Sequence, residues 1–298
     1  MISRPATTQS NYLLTVVLQG FKVTDRGRLF TNDLNRSGRT DKGVSAYGQV
    51  ISLYVRSNMV DGVGVIPPLC LDEEDLARRR SNQQKNKKPS EEFPYVKMLN
   101  GVLPAHIRVL AWTPVPFHFN ARFSTLYRTY KYFFSPSNLD LGLMSQASKL
   151  YIGEYDYRNF CKMDIESVKS FIRVILSFEI EPMRNADGTL SSELYVATIS
   201  GYAFLWHQIR CMMAMLFLVG QKKYPVTIIS DLLDLSKGIS KPQYEMASET
   251  PLVLFDCGYE DLDFIYDQDS YQKVINTMTT ILNEHHIKTS VTRLMLND

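Results

Sequence analysis

The spacing of apolar and polar residues predicts strands and helices interspersed along the chain. Residues 49–56 alternate, which predicts a strand with Ile51, Leu53 and Val55 on one face. The same reasoning predicts further strands at residues 107–115, 125–134, 171–180, 194–200 and 252–255. Without regular strand–helix–strand alternation, this order indicates the α+β class with a mainly antiparallel sheet.

Two helices follow the predicted strands. Residues 204–219 carry apolar side chains at steps of three and four, a stripe formed by Leu205, Ile209, Met212, Leu216 and Val219. A second helix is predicted at residues 226–235, because Pro225 suits its first turn and Gly238 lies just past its end.

Composition limits the protein classes. The 298 residues are 45% hydrophobic and 21% charged, as in a globular protein. Thirty-three Lys and Arg oppose 31 Asp and Glu, so any basic surface must be local. The four cysteines are far apart and form no Cys-x-x-Cys pair, which argues against a zinc ribbon and a disulfide-rich secreted domain. The longest apolar stretch, residues 201–220, is interrupted by His207, Gln208 and Arg210, so we expect no membrane span.

Residues 71–92 form a charge-dense insert with low apolar content. Four acids are followed by Arg78, Arg79, Arg80, Lys85, Lys87 and Lys88. The insert is typical of a mobile surface loop. The alternative is an arm that contacts phosphates.

The first candidate for chemistry is Asp41, which lies between two glycines and among three cations at residues 36–43: Arg36, Arg39 and Lys42. One interpretation is a surface turn in which Gly and Asp serve the backbone. The other is a carboxylate kept ionised by neighbouring arginines, and therefore a nucleophile or base at neutral pH.

The second candidate is Arg210, which lies in a predicted helix that is apolar almost all round. A buried guanidinium needs a partner, and the helix itself offers no acid. We expect Asp41 to be that partner. The alternatives are that Arg210 reaches solvent or pairs with another acid, such as Asp156 or Asp256.

The third candidate is the strand at residues 125–134, whose alternation places Leu126, Arg128, Tyr130, Tyr132 and Phe134 on one face. Packing in the core explains such a face, and so does a stacking platform for a base beside a phosphate-binding cation.

The sequence has no nucleotide-binding glycine loop, zinc-protease motif or hydrolase serine motif, and His285 and His286 are adjacent, which makes a poor metal pair.

Together these elements resemble the TruA family of tRNA pseudouridine synthases. The family's Gly-Arg-Thr-Asp-x-Gly-Val loop and Gly-Gln-Val strand stand at residues 38–44 and 48–50. Its Ala-Arg-Phe-Ser and Arg-x-Tyr-x-Tyr segments stand at residues 121–124 and 128–132. Its Phe-Leu-x-His-x-x-Arg helix with a closing Val-Gly stands at residues 204–210 and 219–220. Residues 159–164, 208–213 and 251–257 look like the eukaryotic enzyme of this family for tRNA positions 38 and 39.

The resemblance implies a pseudouridine synthase fold of two halves with a cleft between them. It implies that uridine is isomerised to pseudouridine in the anticodon arm of tRNA, with no cofactor and no metal. It also implies roles for particular residues: Asp41 as nucleophile, Arg210 holding Asp41, Tyr130 stacking on the flipped uracil, Arg39 filling the vacated space, Arg128 and Arg122 contacting RNA, and Leu205 and Phe160 walling the pocket.

The start of the chain departs from the family pattern. Members begin with a strand carrying Tyr-x-Gly and then a helix, whereas only about 35 residues precede Arg36 here and that pattern is missing. We therefore expect residues 1–115 to form an N-terminal half that is truncated at its start, and residues 116–298 to form the C-terminal half.

The substrate and the assembly follow from the same resemblance. We expect tRNA as the substrate, a homodimer as the assembly, and no membrane or metal. The expected compartment is the cytoplasm or nucleus, with the mitochondrion as an alternative. A synthase-like protein that binds tRNA without full catalytic competence is the alternative function.

Overall fold

The computed structural model describes residues 10–20, 34–59, 62–66, 92–104, 106–162, 168–185 and 187–297, with isolated positions 74, 77–78 and 81. Most of the charge-dense insert at residues 71–92 therefore lies outside the described residues. The described chain forms a mixed α+β fold with a large, mostly antiparallel sheet flanked by helices, which confirms the predicted class.

The strands, numbered in chain order, are β1 (Ser10–Gly20), β2 (Asn35–Arg36), β3 (Ser45–Ser57), β4 (Val65–Ile66), β5 (Ile107–Pro114), β6 (Tyr127–Phe134), β7 (Gly153–Asp156), β8 (Ile172–Arg184), β9 (Leu190–Gly201), β10 (Leu252–Gly258) and β11 (Ile265–Tyr266). The helices are α1 (Tyr95–Val102), α2 (Leu141–Lys149), α3 (Gln208–Gly220), α4 (Ile228–Leu233) and α5 (Gln268–Asn297).

The chain divides into two compact units, each built from separate segments. One contains Met1–Gln19, Ile51–Phe119 and Leu262–Asp298; the other contains Gly20–Val50 and Asn120–Asp261. All of the predicted site residues fall in the second unit. The predicted division near residue 115 stays a prediction.

In the first unit, β11, β5, β1 and the later part of β3 follow one another. The aliphatic side chains Leu53, Val96 and Val109 are buried in its core, and Tyr95 meets Trp112 edge to face at 5.0 Å. The long helix α5 exposes many of its apolar side chains, among them Ile287, Leu294 and Leu296.

In the second unit, the order is β3, β10, β6, β9, β8 and β7. The β3–β10 pair is parallel, whereas β10–β6, β6–β9, β9–β8 and β8–β7 are antiparallel. A side chain on Gly48 would come within 2.6 Å of the backbone oxygen of Phe255, so glycine lets β3 approach β10.

The alternation predicted for β6 is confirmed, since Tyr130, Tyr132 and Phe134 are all buried. Phe217 of α3 packs on this face, with its ring 6.0 Å from Tyr132 and 5.5 Å from Phe134. The apolar stripe of α3 is also buried as predicted, and together these side chains form the core behind the site.

Helix α3 begins at Gln208, later than the predicted start at residue 204, because His207 is left-handed, with φ of 60°. Its end approaches α2 closely: a side chain on Gly220 would lie 2.7 Å from the sulfur of Met144. Glycine at this position therefore allows the two helices to pack.

Candidate active site

The loop that carries Asp41 is attached to β3 by the Gln49 side chain. Gln49 Oε1 accepts hydrogen bonds from the Ser37 hydroxyl at 2.6 Å and from the Gly38 N–H at 3.1 Å. Its Nε2 donates to the Gly38 carbonyl at 2.8 Å. Gln49 is 2% exposed, so these buried bonds are shielded from water and fix the start of the loop.

Asp41 opens a tight turn. The Val44 N–H donates to the Asp41 carbonyl at 3.1 Å, and Gly43 has a φ of 93°. A side chain on Gly43 would lie 2.6 Å from Cγ of Glu249, so this position requires glycine for both conformation and space. The turn brings the loop back toward β3 directly after the carboxylate.

Both oxygens of the Asp41 carboxylate have partners from the segment before α3. Trp206 Nε1 donates to Oδ1 at 3.1 Å, and His207 Nε2 lies 3.3 Å from Oδ2. The Asp41 side chain remains 22% exposed. The structure therefore presents an oriented carboxylate that is still open to a ligand.

Burial lowers the pKa of the His207 imidazole below its ordinary value, despite the opposing attraction of Asp41. Three cations, Arg210, Lys162 and Lys241, lower this pKa further. The lowered pKa favours the neutral imidazole, whose Nε2 contacts the Asp41 carboxylate at 3.3 Å.

The structure corrects the expected ion pair between Arg210 and Asp41. Among the described residues, the Arg210 guanidinium pairs with Glu249 at 2.9 Å, and its Nε donates to the Ala247 carbonyl at 2.7 Å. The space above Gly43 is what admits Glu249 beside the loop. The charge of Arg210 acts on His207, which contacts Asp41, but the direct partner of Arg210 is another acid.

Arg128 joins the three sequence motifs to one another. Its guanidinium donates to the carbonyls of Ser37 at 2.8 Å, Tyr202 at 2.6 Å and Arg122 at 2.7 Å. Ser37 precedes the Asp41 loop, Tyr202 precedes α3, and Arg122 belongs to the segment before β6. Arg128 therefore organises the site from within the protein, and its contact with RNA stays a prediction.

Tyr130 lies beside the loop, and both Tyr130 and Leu205 are largely covered, at 8% and 6% exposure. The Tyr130 ring meets Phe204 edge to face at 5.2 Å, and a side chain on Gly38 would lie 3.5 Å from its hydroxyl. Burial raises the pKa of the Tyr130 phenol, and the nearby Asp41 charge adds to the rise. The phenol is therefore protonated at neutral pH.

The remaining predicted residues occupy different environments. Arg39 and Arg122 are exposed, and the Arg122 guanidinium lies 5.3 Å from the Phe123 ring. Phe160 has 0% exposure, and its ring packs at 5.0 Å from that of Tyr151. The structure places Phe160 in the core and not at a surface, because the aromatic cluster behind α3 encloses it.

Sequence reasoning missed Trp206, His207, Gln49 and Glu249 as parts of the site. The first three stand inside the quoted motifs, as polar groups within apolar segments, which is a signal that could have found them. Glu249 gave no such signal, because it lies 39 positions after Arg210 in a turn.

Comparison with known proteins shows which sequences this chain resembles. Residues 147–260 match the family described as tRNA pseudouridine synthase. The chain is 41% identical to human tRNA pseudouridine(38/39) synthase over 97% of its own length and 60% of the relative's. It is 41% identical to the Saccharomyces cerevisiae protein of the same name over 91% of this chain and 54% of the relative.

The chain spans about 60% of the length of its human and mouse relatives. An archaeal relative is covered more fully: tRNA pseudouridine synthase A of Archaeoglobus fulgidus is 30% identical over 80% of this chain and 72% of the relative. Similarity of this extent, together with the three motifs assembled around Asp41, shows that the chain belongs to the TruA family of tRNA pseudouridine synthases.

Proposed function

We propose that the protein isomerises uridine to pseudouridine in the anticodon arm of tRNA, at positions 38 and 39, with Asp41 as the nucleophile. The observation that carries the proposal is the Asp41 carboxylate, which accepts a hydrogen bond from Trp206, lies 3.3 Å from His207 Nε2 and is still partly open to a ligand. The eukaryotic relatives, whose printed names specify positions 38 and 39, support the choice of substrate.

The reaction conserves every atom of the nucleotide. The glycosidic bond from nitrogen to the ribose breaks, the uracil rotates, and a carbon of the ring forms the new bond to the same ribose carbon. That ring carbon loses one proton and the released nitrogen gains one. No oxidant or reductant is required, which agrees with the proposed absence of a cofactor.

Other residues take supporting roles in the proposal. The target uracil must leave its stack to reach Asp41, and Arg39, which is exposed beside Asp41, would fill the vacated space. Tyr130 would stack on the uracil once the nucleotide displaces its covering, with Leu205 on the same wall. Arg122, also exposed, would contact the RNA backbone.

The arrangement of two halves around a cleft and the homodimer are parts of the same proposal. Light scattering on the purified protein would test the dimer. We propose the cytoplasm or nucleus as the compartment, with the mitochondrion as the alternative, and imaging of the tagged protein would decide. Among the described residues, no helix combines the length and apolar character needed to cross a bilayer.

The experiment is pseudouridine mapping of tRNA transcripts after incubation with the protein. The matched control transcript carries cytidine at positions 38 and 39. The proposal predicts pseudouridine at those positions in the first transcript and unchanged bases in the second. Tight tRNA binding without any pseudouridine would instead support the alternative of a non-catalytic RNA-binding protein.

A further inference from the structure

We infer that Trp206 and His207 are positioning residues for Asp41: their two N–H groups hold the two carboxylate oxygens and so set the direction in which the carboxylate attacks. The kinetic part of this inference rests on the proposed function. The structural part concerns the protein without RNA and can be tested separately.

The contacts define the tautomer of His207. Nε2 lies 3.3 Å from Asp41 Oδ2, while Nδ1 is buried and has no hydrogen-bond partner among the described residues. If the proton were on Nδ1, a buried donor would lack an acceptor, and a lone pair would face the carboxylate. The proton therefore belongs on Nε2, the ring nitrogen that lies 3.3 Å from the Asp41 carboxylate.

The charges around the ring keep His207 a neutral donor. Asp41 is the described acid that faces it, and Arg210, Lys162 and Lys241 are the described cations. Arg210 also pairs with Glu249 at 2.9 Å. A positive charge on the ring would be opposed by these three cations and by burial, so the carboxylate faces the dipole of a neutral ring.

Trp206 is fixed by its neighbours as well. Its carbonyl accepts a hydrogen bond from the Lys162 N–H at 3.0 Å, and the Lys162 ammonium lies 4.7 Å from the centre of its ring. The indole is 46% exposed, yet its N–H points at Asp41 Oδ1. An exposed tryptophan tied down at two points is a directed donor and not a core side chain.

The backbone supports the same reading. His207 has φ of 60°, a left-handed conformation that costs a residue with a side chain about 1 kcal/mol. This bend occurs directly before α3, so two consecutive side chains reach the same carboxylate. A strained backbone conformation of this kind persists only where the surrounding contacts hold it in place.

The test compares three variants of the full chain. His207→Gln places an amide nitrogen near the position of Nε2 and so restores the donor. His207→Asn suits the left-handed backbone better but places its amide near the position of Nδ1, away from Asp41. Trp206→Phe keeps a ring of similar character and removes the N–H.

We expect His207→Asn and Trp206→Phe each to lower the single-turnover rate constant by about tenfold, as for loss of a hydrogen bond to a charged group. His207→Gln should recover most of the rate, and tRNA affinity should be unchanged in all three. If Asn supports turnover better than Gln, the residue serves only the backbone and the inference is overturned.

A second measurement does not depend on turnover. Nitrogen NMR of the RNA-free protein should show His207 with its proton on Nε2, and Asp41→Asn should lower the His207 pKa further, because the attraction of Asp41 is removed. A proton on Nδ1, or an unchanged pKa in Asp41→Asn, overturns the inference. If the wild type makes no pseudouridine but gives these spectra, the proposed function fails while the positioning geometry stands.

Discussion

At the scale of single residues, Arg128 explains how distant segments of sequence assemble one site. Its planar guanidinium offers several donors in a fixed geometry, and each of its three acceptors is a backbone carbonyl from a different segment. Lysine could satisfy one of these carbonyls at a time. Arg128→Lys should therefore lower the free energy of unfolding by about 1–3 kcal/mol and reduce turnover, measured by urea unfolding and pseudouridine formation.

The control is Arg158→Lys. Arg158 is an exposed arginine whose side chain binds the carboxylate of Asp156 at 2.7 Å, and an exposed pair of this kind contributes little. We expect the urea midpoint of this variant to match the wild type. If the two substitutions changed the urea midpoint equally, the three carbonyl contacts of Arg128 would contribute no more to stability than one exposed ion pair.

Gly43 allows a second prediction at the same scale. Gly43→Ala combines a left-handed φ of 93° with a contact of 2.6 Å to Glu249, whereas Gly238→Ala has a φ of 65° and nothing within 4 Å. The first should destabilise the protein by about 1–2 kcal/mol more than the second. Thermal unfolding of both variants measures the difference, and equal melting temperatures would refute the crowding of Glu249 against the loop.

How far the sequence predicts the residues of the site depends on the range of their interactions. Asp41 could be found because its glycines and cations are local in the chain. The partner of Arg210 could not, because pairing is decided by which acid the fold brings near, and Glu249 arrives from a separate turn. Alternation along β6 predicts which of its faces is buried. It does not predict that Arg128, near the start of the strand, binds backbone carbonyls.

At the scale of elements, α3 depends on how its first turn is anchored. Arg210 is 11% exposed and Glu249 is 39% exposed, so their pair is partly screened by water. A double-mutant cycle of Arg210→Met and Glu249→Gln should give a coupling energy of about 1 kcal/mol or less in urea unfolding. A cycle of Arg210→Met with Asp41→Asn should give a smaller coupling energy. A larger coupling energy would show that Arg210 pairs directly with Asp41.

The elements themselves were predicted where burial imposes a period. The strands β3, β5, β6, β8 and β9 and the stripe of α3 follow from alternation and helical spacing, because one face of each is buried. Helix α5 was not predicted, because its apolar side chains are mostly exposed and give no single buried stripe. The late start of α3 was missed because the left-handed backbone of His207 does not change the spacing of apolar residues from which the helix was predicted.

At the scale of the whole molecule, the net charge of +2 gives little attraction to RNA, so the proposed binding of tRNA requires local basic surfaces. The insert at residues 71–92 concentrates such charge. If it acts as an arm, deletion of residues 78–88 should flatten the dependence of tRNA affinity on salt, because fewer counterions are released. Filter binding over a range of salt concentrations measures the slope, and an unchanged slope would leave the insert as a surface loop.

The claim on which the account depends is that the Asp41 carboxylate is the nucleophile. The direct measurement is pseudouridine mapping of tRNA incubated with the wild type and with Asp41→Asn, which keeps the shape of the side chain and removes its charge. The account predicts pseudouridine at positions 38 and 39 for the wild type, and none for Asp41→Asn at equal tRNA binding. Pseudouridine formed by Asp41→Asn at the wild-type rate would contradict it.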